Sequence, residues 1–350
     1  MDKSFIEKKS ANATKWSSIT EILAKCITPI INIILARLLV PEMFGVVATI
    51  MVVISFAEIF TDAGFQKYIM QHEFASDDEL NKSTNVAFIT NLAISLLLWG
   101  VICIFNNQLA SLLGVNGKGI VIIIAAISIP LVSFSSIQMA RFKRDFDFKS
   151  LFIVRVIVCV IPLVVTVPLA IIFRSYWALI IGTLFGNFVN AVLLTLKSKW
   201  KPSLYFSFSV LKQMFSYSWW ILLESIAVWL TSYLGTFIVG QYLSLHYVGL
   251  YNTGINTVNQ ITSLITAATS APLFVTLSRL QHDDELMLNK YYSFIKSISL
   301  IIVPIGFGIY MFRDTVTYIL LGSQWAQVSD FIGMWGLSSS FSLVLGTYCN

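Results

Sequence analysis

The chain has 350 residues, 57% hydrophobic and only 12% charged, with a mean hydropathy of +0.79. A water-soluble domain carries about 25% charged residues, so this chain lacks the polar surface to cover a soluble body, and the bilayer is its natural solvent. The net charge of +5 includes no long basic run and no basic-aromatic interleaving, which argues against nucleic acid as a partner.

A membrane helix needs about 20 mostly apolar residues. Ten segments qualify: 17–39, 44–66, 83–105, 119–140, 151–173, 176–196, 214–240, 247–269, 291–312 and 329–349. They must be helices, because hydrocarbon offers no partner to backbone N–H and C=O groups, and none shows the alternation of a membrane strand. The expected fold is an all-α membrane protein. Lys3, Lys8 and Lys9 precede the first segment, which holds Glu21 and Lys25 and has no small-residue cleavage site. It reads as a retained first helix rather than a signal peptide.

Orientation follows from the loops. Segments 1–16, 67–82, 141–150, 197–212 and 276–290 hold sixteen Lys and Arg, whereas the opposite loops hold four, namely Arg37, Lys118, Arg174 and Arg313. The positive-inside rule then places the N-terminus on the cytoplasmic side of a multi-pass membrane protein. Cys26, Cys103, Cys159 and Cys349 lie in apolar stretches without metal-ligand spacing and read as small buried side chains.

The two halves of the chain resemble each other. ARLLVPEMFG (36–45) and GQYLSLHYVG (240–249) share a small residue, a Leu three positions on and a Gly at the tenth, at an offset of 204. Asn81-Lys82 matches Asn289-Lys290, and Leu112-Leu113-Gly114 matches Leu320-Leu321-Gly322, both at an offset of 208. These matches imply a parallel repeat of six helices: a complete bundle over 1–196, a basic linker over 197–212 and an incomplete second bundle of four helices over 213–350. A truncated chain, or a fragment of a longer one, is the expectation that follows.

LARLLVPEMFGVVA (35–48), FTDAGF (60–65), RFKRDFDFKSL (141–151), VGQYLSLHYVGLYNTG (239–254), APLFVTLSRLQHDDELMLNKYY (271–292) and LLGSQW (320–325) resemble the Wzx-type polysaccharide flippases. These belong to the multidrug/oligosaccharidyl-lipid/polysaccharide exporter superfamily. The resemblance implies two bundles around a central cavity. It also implies transfer of undecaprenyl-pyrophosphate-linked oligosaccharide across the cytoplasmic (inner) membrane, for O-antigen, capsule or exopolysaccharide assembly. The partners implied are that lipid-linked oligosaccharide, membrane lipids, and a polymerase with its chain-length machinery.

Ionisable groups inside spans cost about 2.5–3.5 kcal/mol each on insertion scales, so each needs a cavity or a partner. Glu21, Lys25, Thr28 and Asn32 share one face of the first helix; Lys25 and Asn32 are cavity candidates, with a Glu21–Lys25 pair as the alternative. Glu58 and Asp62 lie four apart, and two carboxylates on one face call for a cation or proton. That makes them candidates for ion coupling, pairing with Lys25 or Arg37 being the alternative. Arg155 suits a pyrophosphate or snorkels to the surface. Glu224 is the most isolated carboxylate and a further cavity candidate. Asn252, Asn256, Asn259 and Gln260 line one face of the eighth helix, where amides bind sugar hydroxyls or join helices.

No catalytic constellation, metal site or cofactor site emerges. His72, His246 and His282 are separated, and GVNGKG (114–119) lacks the Ser or Thr that a nucleotide-phosphate loop needs. Two other functions compete with flipping: a cation-coupled drug antiporter of the same fold, and a membrane glycosyltransferase or polymerase. The latter needs large external loops, and those here are short.

Overall fold

The computed structural model describes residues 3–62, 64–279 and 284–345, with side chains throughout except those of 3–14, 62, 216–218, 267–279 and 284. Among these residues every regular element is helical. They are α1 (Lys3–Leu38), α2 (Pro41–Asp62), α3 (Phe65–Gln71), α4 (Asp77–Ile104), α5 (Asn106–Leu112), α6 (Gly119–Ala125), α7 (Ser128–Arg144) and α8 (Phe148–Ile161). There follow α9 (Val167–Phe173), α10 (Trp177–Lys197), α11 (Phe208–Tyr242), α12 (Leu245–Arg279), α13 (Asp284–Met311), α14 (Arg313–Leu320) and α15 (Ser329–Leu345).

Nine helical stretches among the described residues are long and apolar enough to cross a membrane: α1, α2, α4, α6 with α7, α8 with α9, α10, α11, α13, and α15 with the turn before it. Ten were expected. The remaining one, 247–269, falls on α12, which is 35 residues long and whose second part, 267–279, lies outside the residues with described side chains. The surface is that of a membrane protein. Leu97, Ile104, Ile172, Leu196 and Leu300 expose 65–73% of their surface, while Thr84, Asn91, Ser95 and Gln138 expose none.

Local sequence explains most helix boundaries. Pro41 opens α2, where a missing N–H costs nothing. Gly64, at φ 78, turns the chain sharply before α3, so the second expected span ends at Asp62 rather than at 66. Ser76 accepts a hydrogen bond from the Glu79 amide at 3.2 Å and Glu79 accepts one from the Ala75 amide at 2.7 Å, a reciprocal cap at the start of α4. The fourth expected helix is broken between α6 and α7, just before Pro130, whose ring excludes a regular turn. The fifth is interrupted by a π turn over Pro162–Thr166.

Buried polar contacts join the helices of the first half. Asn91 donates to Ser136 at 2.8 Å, linking α4 to α7, and Gln138 donates to Thr195 at 2.9 Å, linking α7 to α10. In hydrocarbon such contacts join helices that apolar contact alone does not hold together. Cys26 is exposed, whereas Cys103 and Cys159 are half-buried, so the expectation of buried cysteines fails at Cys26. The α1 surface there faces away from its neighbours. Cys349 lies outside the described residues.

The offsets seen in the sequence recur in the backbone. α1 and α11 end 204 residues apart, at Leu38 and Tyr242, and α2 and α12 begin 204 apart, at Pro41 and Leu245. α5 and α14 end 208 apart, and Gly114 and Gly322 after them both have positive φ, 69 and 103. α2 and α12 cross at Gly45 and Gly249. A Cβ on Gly45 would stand under 3.0 Å from the Leu245 carbonyl, and one on Gly249 under 3.0 Å from the Pro41 carbonyl. Each glycine thus meets the repeat-mate of the other's contact, the reciprocity expected of a two-fold axis between the helices.

We predict that Gly45→Ala and Gly249→Ala each destabilise the protein by about 1–3 kcal/mol through overpacking. Gly100→Ala, with nothing within 4 Å of its new methyl, should be near neutral. Thermal unfolding in detergent reads all three. The Gly45→Ala/Gly249→Ala double variant should cost less than the sum, because either methyl already separates the helices.

Candidate functional site

Directly below the glycine crossing lies a cavity of about 640 Å³ between α2, α11, α12 and α15. Phe44, Val47, Ala48 and Met51 of α2 form one wall, Tyr233 and Thr236 of α11 another, and Tyr251, Asn252, Asn256, Asn259 and Trp335 the rest. The lining follows from helical spacing: residues three and four apart share a face, and the amides of α12 point the same way.

Two of those amides bond each other, and the third bonds a tryptophan across the cavity. Asn256 donates to the Asn252 Oδ1 at 3.1 Å, Asn252 donates to the Thr236 hydroxyl at 2.8 Å, and the Trp335 indole donates to the Asn259 Oδ1 at 3.5 Å. Asn252 therefore both joins α12 to α11 and faces the cavity, so the two readings of these amides are not alternatives. Aromatic rings frame the space: Trp229 stacks on Tyr233 at 5.9 Å, Tyr251 lies 5.3 Å from Phe331, and Phe331 stacks on Trp335 at 5.8 Å. A Cβ at Gly235 would stand under 3.0 Å from the Tyr251 hydroxyl, so glycine at this position leaves room for that ring. Amides, hydroxyls and flat rings in a confined space suit a polyhydroxylated ligand.

The structure brings together only part of the set read from the sequence. Asn252 and Asn256 line the cavity. Glu58 continues the stripe Phe44, Val47, Met51 and Ser55 on α2, with Ser55 accepting a hydrogen bond from the Trp229 indole at 3.0 Å. The Glu58 side chain is half-buried and has no hydrogen-bond or ion partner among the described residues. The Asp62 side chain lies outside the described residues.

The other candidates are placed elsewhere. Lys25 does not pair with Glu21; it donates to the Ser263 carbonyl at 3.2 Å, tying α1 to α12. Asn32 faces a narrow cleft of about 60 Å³ with Gln260, between α1 and α12. Arg155 is exposed and lines none of the cavities described here. Glu224 is not isolated: it stands 3.5 Å from Lys67 on α3. Sequence spacing assigns a residue to a helix face but not to the helix opposite, and that choice decides each of these four positions.

Above the cavity the face opposite the basic loops is closed by side chains. His246 contacts Glu42 at 2.7 Å through Nδ1 and Gln327 at 2.9 Å through Nε2. Glu42 and His246 are themselves 204 apart, so repeat-mates bond each other. Arg37 donates to the Ile319 carbonyl at 2.6 Å, Trp325 to the Ala36 carbonyl at 2.8 Å, Gln324 to the Leu39 carbonyl at 3.0 Å, and Gln241 to the Leu112 carbonyl. Asp330 lies 2.6 Å from Arg313 and raises the pKa of its guanidinium. His246 was read as a separate loop histidine; its partner lies in the other half of the chain, and only the 204 offset hinted at it. Among the described residues no three His, Cys, Asp or Glu gather as metal ligands.

A family model described as Polysaccharide biosynthesis protein matches residues 34–330. The chain belongs to this family. Its relatives include an uncharacterized membrane protein in the cps region of Klebsiella pneumoniae, 24% identical over 97% of this chain and 70% of that protein. They also include the succinoglycan biosynthesis transport protein ExoT of Rhizobium meliloti, 25% identical over 90% of this chain and 63% of that protein. The lipopolysaccharide biosynthesis protein WzxC of Escherichia coli is 21% identical over 92% and 65%. The chain thus spans 63–70% of the length of these relatives. Its fold is similar to that of the lipid II flippase MurJ in an inward closed conformation, with TM-score 0.69 and 14% identity over 95% of this chain and 76% of that one. It is also similar to an inward-facing multidrug resistance MATE transporter of the MOP superfamily, with TM-score 0.59 and 16% identity over 95% and 83%. Family and fold agree with the Wzx-type resemblance read from the sequence.

The Lys67–Glu224 pair is 47% and 67% exposed, and exposed pairs contribute about 0–1 kcal/mol. A double-mutant cycle on Lys67→Ala and Glu224→Ala, read by thermal unfolding, should show coupling below about 1 kcal/mol.

Proposed function

We propose that the protein moves a lipid-linked oligosaccharide across the cytoplasmic membrane during surface polysaccharide assembly. Its basic face is turned to the cytoplasm, and residues 1–196 and 213–350 act as two bundles joined by the 197–212 linker. The observation that carries this reading is the cavity below the α2–α12 crossing, whose amides, hydroxyls and rings suit sugars and whose position suits a site between two bundles. The relatives' roles in lipopolysaccharide and succinoglycan biosynthesis support the substrate class. Helices alone cannot carry a pyrophosphate-sugar head group through hydrocarbon; a polar cleft replaces its water while the lipid tail stays in the bilayer.

The contacts around Glu42, His246, Arg37 and Trp325 close the outward end in this state, so the substrate enters from the basic face. Transport then requires the glycine crossing and these contacts to part while the opposite end closes. Glu58, half-buried and without a described ion partner on the cavity stripe, is the place where a proton or cation would couple to that motion. A cation-coupled drug antiporter is the competing function, and Glu58 is the observation that favours it.

In a strain lacking the gene and any redundant transporter, lipid-linked repeat units should accumulate in the inner leaflet and surface polysaccharide should fall. Asn252→Leu and Asn256→Leu should restore polysaccharide several-fold less well than the unaltered gene, at equal membrane abundance. Normal surface polysaccharide in the deletion strain, together with cation-dependent drug efflux by the purified protein in vesicles, would replace the flippase with the antiporter.

A further inference from the structure

The largest cavity described lies away from the inter-bundle site, on the basic face of the first half. It measures about 960 Å³ and is enclosed by the start of α4, the end of α7 and the linker after α10. Four cations line it, Arg141, Arg144, Lys199 and Lys201, against two carboxylates, Asp77 and Asp145. Among the described residues none of the four cations stands within 4.0 Å of a carboxylate oxygen. Lys201 also donates to the Thr195 carbonyl, a neutral partner that leaves its charge in place, and four cations against two carboxylates in a concave site attract an anion.

The site is built rather than a chance gathering of surface lysines. Asn85 and Ser203 bond each other twice, at 2.7 and 3.0 Å, and strap the linker onto α4. Ser198 donates to the Trp200 carbonyl at 2.8 Å, and the Trp200 ring packs on Phe88 at 5.7 Å. Arg144 is anchored by one terminal nitrogen, which donates to the Ile69 and His72 carbonyls at 2.8 Å each. Arg141 reaches Thr84 at 3.4 Å, while its Nε and the indole N–H of the 7%-exposed Trp200 are buried with no hydrogen-bond partner among the described residues.

The linker leaves the cavity as a strongly apolar run. Leu204, Phe206 and Phe208 expose 53–101% of their surface, and Lys82 lies 5.8 Å from the Tyr205 ring. A cationic cavity beside an apolar shelf at the membrane surface matches one ligand chemistry: a phosphate with acyl chains attached. Arginine holds phosphate bidentately and lysine as a point charge.

We propose that this cavity binds the phosphate of an anionic phospholipid, with Arg141, Lys199 and Lys201 as the principal contacts and the chains lying along 204–208. The lipid would pin the linker, and with it the start of α11, to the first half of the molecule. The proposal concerns membrane lipid and stands whether the inter-bundle cavity takes a sugar or a drug.

The same phosphate chemistry belongs to free phosphate and to the pyrophosphate of the proposed substrate, so the test separates these sources. Purified protein is exchanged into mixed phosphatidylglycerol and phosphatidylcholine, and retained lipid is counted by native mass spectrometry. Phosphatidylglycerol should be enriched, and Lys199→Gln and Lys201→Gln, both at exposed positions, should each lower the enrichment by about fivefold. Arg141→Gln should lower it further, and Lys118→Gln on the opposite face should leave it unchanged. Melting temperatures confirm that each variant is folded. Equal retention of the two lipids, or enrichment indifferent to the lysine changes, overturns the proposal. Displacement of the lipid by millimolar inorganic phosphate or pyrophosphate also overturns it and assigns the cavity to a soluble phosphate or to the substrate.

Discussion

Two glycines without side chains let α2 and α12 cross backbone against backbone, and the arrangement of the other helices depends on that approach. In hydrocarbon no hydrophobic effect draws helices together, so contact must come from close packing and polar groups. Gly45 and Gly249 supply the close packing. Around them, the Glu42–His246 contact and the carbonyl-seeking side chains of Arg37, Trp325, Gln324 and Gln241 supply the polar groups. The crossing also decides where a cavity can exist: helices that touch at one end diverge below it, and the space between α2, α11, α12 and α15 opens there.

The same scarcity of partners gives each polar residue within the membrane a restricted set of roles. Asn91 with Ser136, and Gln138 with Thr195, are consumed in holding the first half together. Asn252 holds α12 to α11 and still faces open space. Lys25 is satisfied by a carbonyl and Glu224 by Lys67. Glu58 alone among the candidate carboxylates with described side chains has neither, which is the physical reason for giving it the coupling role.

Much of the fold was legible in the chain because its causes are local or compositional. Apolar run length sets where helices cross, loop charge sets their alternation, and prolines and glycines set boundaries such as Pro41 and Gly64. Breaks before Pro130 and at Pro162–Thr166 were missed because hydropathy is continuous across them, although the prolines were visible. The candidate site was legible only in part. The amide stripe of α12 was read from its spacing, but Tyr233, Tyr251 and Trp335 were not, since aromatic residues in an apolar helix look alike whether they face lipid or a cavity.

By itself the sequence determined that this is a helical membrane protein with an internal repeat, because solvent and chain period act through composition and spacing alone. The tertiary structure decided that the repeat-mates Glu42 and His246 meet, that Glu224 pairs with Lys67, and that Arg155 stays apart from the cavity while Asn252 enters it. Those outcomes depend on which helix faces which, and that is set by packing contacts between residues hundreds of positions apart, to which local pattern is blind.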